Sequence, residues 1–296
     1  MSQTRILILG GTGMLGHKLV QRFQTSFDTF CTIRKGFSTV APLGIFEREQ
    51  VFENVDVEDF ESVKKIIDQL KPDVVVNAVG IIKQIAESNN VVQTLRVNSI
   101  FPNLLAELAK ELDFRFITIG TDCAFLGDRG GYRESDPPDA LDLYGRSKQY
   151  GEVVGPNCLS LRTSIIGREL GTAHSLVDWF LSRSGKVHGY SKAIFSGFPT
   201  TVLSDIIADV ITNHPALSGL FHVSSEPIDK FSLLSLIKER SSFDIEIEVD
   251  DVFSIDRSLD SSRFRQITGF APLPWPEMID RMLSDPTPYN NWRKLS

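Results

Sequence analysis

Tyr144 and Lys148 stand four residues apart in Leu143-Tyr144-Gly145-Arg146-Ser147-Lys148, a spacing that puts both side chains on one face of a helix. A free tyrosine loses its proton near pH 10, too high for acid–base work at neutrality, and a neighbouring ammonium lowers that value by favouring the phenolate. Such a pair can move a proton, and the lysine can also hold the ribose hydroxyls of a nicotinamide nucleotide. The plainer alternative is an aromatic anchor beside a surface lysine. Position favours the first: the pair follows an apolar run that ends Ile119-Gly120-Thr121, whose hydroxyl could polarise a substrate carbonyl.

A second set of residues suits a phosphate. Gly10, Gly13 and Gly16 form G-x-x-G-x-x-G between the apolar run Ile6 to Leu9 and the helically spaced Met14, Leu15, Leu19 and Val20. The missing side chains permit a tight turn, let a pyrophosphate reach the backbone and let the helix pack on the strand, with the helix N-terminus facing the anion. A simple strand-to-helix turn would use the same glycines. The next strand runs out into Ile33-Arg34-Lys35, where an acidic residue would suit the ribose 2′-hydroxyl of NAD and a basic one a 2′-phosphate. Arg34, with Lys35 in support, is therefore expected to select NADPH over NADH, the alternative being two solvated charges. Asp56 is expected to accept a hydrogen bond from the adenine amino group, with Val57 beside it.

The elements that must carry these groups alternate along the chain. Strands are expected near 6–9, 29–33, 74–76, 116–119 and 159–161, and helices near 60–70, 95–112 and 144–154. Strands apolar on both faces and alternating with helices predict an α/β fold: a Rossmann-type doubly wound parallel sheet with a smaller mixed α/β substrate lobe. The alternation weakens after Arg162, which suggests a first, NADP-binding domain over 1–162. Residues 163–296 then form mainly a substrate-binding lobe, with some segments returning to the first domain. Amphipathic pieces are expected near 175–181, 203–211 and 231–237, strand-like runs near 220–223 and 245–249, and a proline-rich, loop-like end at 272–276 and 286–288.

With 296 residues, 42% hydrophobic and 23% charged, the chain reads as an ordinary globular protein. A net charge of −7 argues against a general grip on nucleic acid or anionic membrane. Three widely spaced cysteines, Cys31, Cys123 and Cys158, suggest neither a disulfide framework nor a zinc site. His17, His188, His214 and His222 show no metal spacing, so no metal is expected. The short apolar run before Gly10 argues against a signal peptide and no run reaches the length of a membrane span, so a cytoplasmic location is expected.

The order of motifs resembles the extended short-chain dehydrogenase/reductases and, within them, the dTDP-4-dehydrorhamnose reductase branch. The residues that carry it are Gly10-Gly11-Thr12-Gly13-Met14-Leu15-Gly16, Pro72-Asp73-Val74-Val75-Val76-Asn77-Ala78 and Thr121-Asp122-Cys123-Ala124-Phe125-Leu126-Gly127. Tyr132-Arg133-Glu134, Leu143 to Lys148 and Leu161-Arg162 continue it over most of the chain. The resemblance implies hydride transfer from NADPH to the 4-keto group of a nucleotide-linked 6-deoxy sugar, in surface polysaccharide precursor synthesis, by a protein that could form a homodimer. Tyr144 would be the proton donor, Lys148 its tuner and ribose ligand, and Thr121 the donor to the carbonyl. Gly10, Thr12, Gly13, Met14, Leu15, Asn77, Ala78 and Val79 would border the cofactor. Asn98 would support the lysine through a water, and Arg162, Thr163 and Ser164 would lie near the nicotinamide.

Two departures concern the sugar pocket. The branch usually has a tyrosine where Cys123 stands, and an Arg-Pro element where this chain reads Arg257-Ser258-Leu259-Asp260. Cys123, Phe125, His174 and Arg257 are the residues expected to shape that pocket. Epimerase-reductases such as GDP-L-fucose synthase are similar in having a cysteine at this spacing and a histidine opening a helix, as His174 does in Ala173-His174-Ser175-Leu176. A thiol and an imidazole on opposite faces of a keto sugar could exchange protons beside the carbonyl. The blander alternative is a small buried Cys123 and a helix-terminal His174. A dehydratase would need a glutamate at Cys123. The competing class is a non-catalytic subunit like the methionine adenosyltransferase beta subunits, against which Thr121, Tyr144 and Lys148 together argue.

Overall fold

The computed structural model describes residues 3–83, 89–241 and 244–289. Its strands in chain order are β1 (Arg5–Leu9), β2 (Asp28–Thr32), β3 (Val51–Phe52), β4 (Val74–Asn77), β5 (Arg115–Ile119) and β6 (Cys158–Arg162). The later ones are β7 (Ile165–Ile166), β8 (Lys186–Phe195), β9 (Phe198–Pro199), β10 (Gly219–His222), β11 (Ile228–Asp229) and β12 (Glu246–Asp256). Seven of them form one sheet in the order β10-β6-β5-β4-β1-β2-β3, and the pairings from β6 through to β3 are all parallel. Helices cross between successive parallel strands, which is the doubly wound α/β architecture expected from the alternation.

The chain divides into two compact units, Met1–Gly120 with Asp142–Leu161 and Ser204–Leu220, and Thr121–Leu141 with Arg162–Leu203 and Phe221–Ser296. Thr121–Leu141 therefore lies outside the unit that a boundary at residue 162 would give it. In the first unit, α1 (Gly16–Phe23), α2 (Phe60–Leu70), α3 (Val91–Leu95), α4 (Phe101–Leu112) and α5 (Leu143–Tyr150) cover the sheet. Leu7, Leu9 and Val75 of the strands meet Val63 and Ile67 of α2 and Leu105 and Leu108 of α4 in a dry core, which is why these strands are apolar throughout. The return of 204–220 is tied down by Arg115, whose guanidinium donates to the carbonyls of Val210, His214 and Leu217 at 2.9–3.0 Å.

The long helix expected over 95–112 is observed from Val91 to Leu112 with one π-turn, Arg96–Ile100, joining α3 to α4. Pro102 explains the interruption: it has no N–H to give the Asn98 carbonyl one turn back. That carbonyl instead lies against Gly151, where a Cβ would come within 1.9 Å of it. Gly151 also ends α5 at Tyr150, four residues short of the expected Val154.

The second unit holds α6 (Leu176–Leu181), the first turn of α7 (Thr200–Asn213), α8 (Lys230–Ser241), α9 (Ser262–Thr268) and α10 (Trp275–Leu283). Its three-stranded sheet runs β11-β8-β12, with β8 parallel to β12 and antiparallel to β11, and β7 pairs with β9. The proline-rich end is not all loop. Pro276 sits in the first turn of α10, where its missing N–H costs nothing, and Met278, Ile279 and Met282 bury the inner face of that helix.

Candidate active site

In the first unit the glycine turn is set by backbone contacts. Gly10 has φ +86°, and its N–H and that of Gly11 donate to Thr32 Oγ1 and Thr32 O, fixing the turn to the end of β2. A Cβ on Gly16 would stand 2.0 Å from the Gly10 carbonyl, so only glycine lets α1 begin here. Two of the later helices are capped by side chains, Asp59 on α2 and Asp142 on α5. At Leu15, ahead of α1, no side chain caps the helix, and the positive end of the helix dipole follows directly on the glycine turn, which suits an anion. Thr12 is exposed on the turn and Gly13 and Met14 are half-buried. Arg34 and Lys35 are exposed just beyond β2. Asp56 accepts from Glu58 N at 3.0 Å in the turn into α2, and Val57 leans on the core.

Around β4 and α5 the contacts close into one network. Asn77 Oδ1 accepts from Val79 N at 3.1 Å, and Ala78 N donates to Leu9 O, so the strand end turns past the glycine loop. Buried Asn98, on the π-turn, accepts from Ile81 N and donates to Ile81 O and to Ser147 Oγ at 2.8–3.1 Å. Ser99 Oγ donates to Ser147 O at 2.7 Å, pinning α5 to the π-turn. Lys148 Nζ donates to Ile119 O at 2.7 Å at the end of β5. Burial pushes this ammonium down to about 8, opposed by the carboxylate of Glu152. A Cβ added to Gly80 would lie 3.4 Å from Asn98 Oδ1 and 3.7 Å from Lys148 Nζ, so these two groups face the same small space. Tyr144 has Lys83 Nζ 5.6 Å from its ring centroid, and Lys83 is held by Asp142 at 2.8 Å.

The second unit opens with Thr121 and Asp122, both buried. Thr121 Oγ1 accepts from Cys123 N at 3.1 Å and lies 3.3 Å from Asp122 Oδ1. Asp122 N donates to Thr163 O, and its carboxyl hydrogen-bonds the side chains of Cys123, Ser164 and Thr121. Burial raises its pKa above the usual carboxylate range, against the opposing charge of Arg257 and these hydrogen bonds. Arg257 donates to Phe125 O through Nε at 2.8 Å and to Cys123 Sγ through Nη1 at 3.6 Å. Cys123 and the Arg257–Asp260 element, the two departures from the rhamnose branch, therefore touch through Arg257.

Phe125 lies beneath this layer, completely buried and stacked on Tyr132 at 4.2 Å. Arg162 is buried too, with its guanidinium 5.0 Å from the Phe125 ring centroid and Nη1 2.9 Å from His222 Nε2. His222 Nδ1 faces the Tyr132 carbonyl at 2.9 Å, which can only accept, so Nδ1 carries the hydrogen and Nε2 accepts from Arg162. Burial, aided by the Arg162 charge, pushes the imidazole down to about 4. His174 is exposed on the loop ahead of α6, its backbone N–H held by Glu169 at 2.7 Å.

The family profile described as the RmlD substrate binding domain matches residues 4–286. The chain belongs to that family. Among its relatives, a dTDP-4-dehydrorhamnose reductase of Aggregatibacter actinomycetemcomitans is 27% identical over 233 residues, 75% of this chain and 74% of that protein. Methionine adenosyltransferase 2 subunit beta of Pongo abelii is 30% identical over 253 residues, 79% of this chain and 71% of that protein. The fold is similar to that of a dTDP-4-dehydrorhamnose reductase from Bacillus anthracis solved in complex with NADP, with a TM-score of 0.74, 19% identity, and 95% and 99% of the two chains covered.

Within this RmlD-family chain the structure gathers Gly10, Thr12, Gly13, Asn77, Ala78, Val79, Asn98, Tyr144 and Lys148 in the first unit and Thr121, Cys123, Ser164 and Arg257 in the second. His174 is on an exposed loop, while Phe125 and Arg162 turn inward. Sequence reasoning passed over Gly80, Lys83, Ser147 and Asp122. The first three carry no pattern of their own. Asp122 did carry a signal, an acid directly after the expected carbonyl-binding threonine.

Proposed function

We propose that the protein is an NADPH-dependent oxidoreductase that reduces the 4-keto group of a nucleotide-linked 6-deoxy sugar during synthesis of surface polysaccharide precursors. The observation that carries this reading is Lys148, a lysine drawn down to about 8 on the same face of α5 as Tyr144. The residues fit a nicotinamide dinucleotide: an uncapped helix behind a glycine turn for the pyrophosphate, exposed Arg34 and Lys35 for a 2′-phosphate, and Asp56 for adenine. That group, when bound, supplies the hydride. Lys148 then holds the ribose hydroxyls and favours proton release from Tyr144, Tyr144 gives its proton to the carbonyl oxygen, and Thr121 hydrogen-bonds the same oxygen. Membership of the RmlD family and the relatives named as rhamnose reductases support the sugar class. Among the described residues no helix is long and apolar enough to cross a membrane.

The test is oxidation of NADPH against a panel of nucleotide-linked 4-keto sugars, run in deuterated water. A plain reductase leaves the carbons beside the former carbonyl unlabelled beyond background exchange. Enzyme-dependent deuterium there, lost in Cys123→Ser and His174→Asn, would establish the epimerase-reductase instead. A second reading, a non-catalytic subunit, is favoured by the 30% identity to a methionine adenosyltransferase beta subunit. NADPH binding with no turnover on any sugar, together with a change in activity on adding the chain to a methionine adenosyltransferase catalytic subunit, would establish it.

A further inference from the structure

The hydrogen bond between Thr121 and Asp122 can run in either direction, and the direction decides what Thr121 offers a ligand. Thr121 Oγ1 already accepts from Cys123 N, and its remaining contact is Asp122 Oδ1 at 3.3 Å. An ionised Asp122 can only accept, so the Thr121 hydrogen would point at it and the hydroxyl would present only a lone pair. A protonated Asp122 can donate to Thr121 Oγ1. Both lone pairs of that oxygen are then used, and its hydrogen must point elsewhere. A ketone oxygen has lone pairs and no hydrogen, so only the second arrangement can polarise it.

The surroundings favour the second arrangement. Asp122 is buried on the turn that follows β5. Among the described residues, the titratable or charged groups facing it are Cys123, on its own turn, and Arg257, from the segment after β12; Ser164, from the segment between β6 and β7, and Thr121 bring hydroxyls. Arg257 is the one cation among them, and its Nε and Nη1 donors are directed to Phe125 O and Cys123 Sγ. Its charge reaches the carboxyl only through space, and desolvation outweighs it. A protonated carboxyl has one hydrogen to give, which reverses the Thr121 bond, while Ser164 and Cys123 can go on donating to its oxygens, so the network survives protonation with every bond kept.

We propose that Asp122 is a positioning residue: it stands as the neutral acid, donates to Thr121 Oγ1, and so turns the Thr121 hydrogen toward the sugar carbonyl. The proposal rests on the reductase reading. Asp122 keeps its proton throughout; the proton delivered to the product comes from Tyr144.

Infrared difference spectra of the ligand-free protein, wild type against Asp122→Asn, test the protonation state directly. The expected result is the carbonyl stretch of a protonated carboxyl at pH 7 that disappears in the variant; its absence from wild type overturns the proposal. In steady-state reduction, Asp122→Asn keeps an N–H donor toward Thr121 and should stay within roughly 3-fold of wild-type kcat. Asp122→Ala leaves the Thr121 donor in place but removes the group that fixes its hydrogen, and should lose roughly 10-fold in kcat with little change in KM. In a Thr121→Val background the two substitutions should become equivalent. An Asn variant as damaged as Ala, or an Ala penalty undiminished without Thr121, overturns it. A wild type that binds NADPH yet reduces no keto sugar overturns the reductase reading and the carbonyl role with it, and the infrared band still decides the state of Asp122.

Discussion

Replacing Lys148 with methionine should make the empty protein more stable while abolishing turnover. The lysine titrates near pH 8 in the folded chain against 10.5 when free. Between those values the unfolded chain binds the extra proton, so stability rises with pH across the window, and below pH 8 the folded protein bears the whole penalty. Fully buried, such a difference costs about 3 kcal/mol; the side chain is only half-buried, which lowers the figure to about 2 kcal/mol. Methionine removes the charge and keeps the bulk, but leaves Ile119 O without its 2.7 Å donor, a loss of about 1 kcal/mol. Urea unfolding at pH 7 should therefore show Lys148→Met more stable by about 1 kcal/mol. The advantage should shrink and then reverse as the pH climbs from 8 toward 10.5, because only the wild type gains. A difference that stays constant over this range, or a wild type that is the more stable at pH 7, would refute the placement of a desolvated ammonium here.

Three further outcomes are expected. Between pH 6.5 and about 4 the unfolded chain protonates His222 while the folded one does not, so wild type should lose about 3 kcal/mol over that drop and His222→Gln clearly less; parallel acid unfolding curves would contradict this. Arg34→Ala should weaken NADPH roughly 10-fold or more and leave NADH nearly unchanged, measured by titration calorimetry, because only the former offers the extra phosphate. Tyr144→Phe should bind NADPH normally and lose at least about 100-fold in kcat, and an unchanged rate on an accepted sugar would remove Tyr144 from the chemistry.

The elements that could be read in advance were those whose signal is local. The first sheet declares itself because β1 and β4 are apolar on both faces and each is followed by a helix of regular period. The ten-residue β8 does not, since its inward positions include Gly189 and Ser191, which weaken the apolar alternation; a Cβ on Gly189 would meet Phe231 and Ile247 at 2.9 Å. The last helix was hidden by its own prolines, one of which is a helix starter. The return of 204–220 to the first unit is held by Arg115 reaching carbonyls about a hundred residues further on, a contact with no trace in nearby sequence.

The site divides along the same line. Tyr144 and Lys148 are legible because one turn of helix fixes their relation, whatever surrounds them. Their placement, by contrast, is tertiary. Pro102 frees the Asn98 carbonyl, Gly151 lets α5 come up against it, and the Asn98 side chain then reaches Ser147, one residue before the lysine. No residue in that chain of contacts is chemically reactive, and each taken alone looks like an ordinary helix breaker or a polar residue in an amphipathic helix. Asp122 is the converse case. Its adjacency to Thr121 was plain, but the upward shift of its carboxyl arises from burial, set against the charge of an arginine 135 residues away whose Nε and Nη1 donors are aimed elsewhere. Reactive groups can be named from sequence when their partners lie within a helical turn; the protonation states that make them work are set by residues that only the fold brings near.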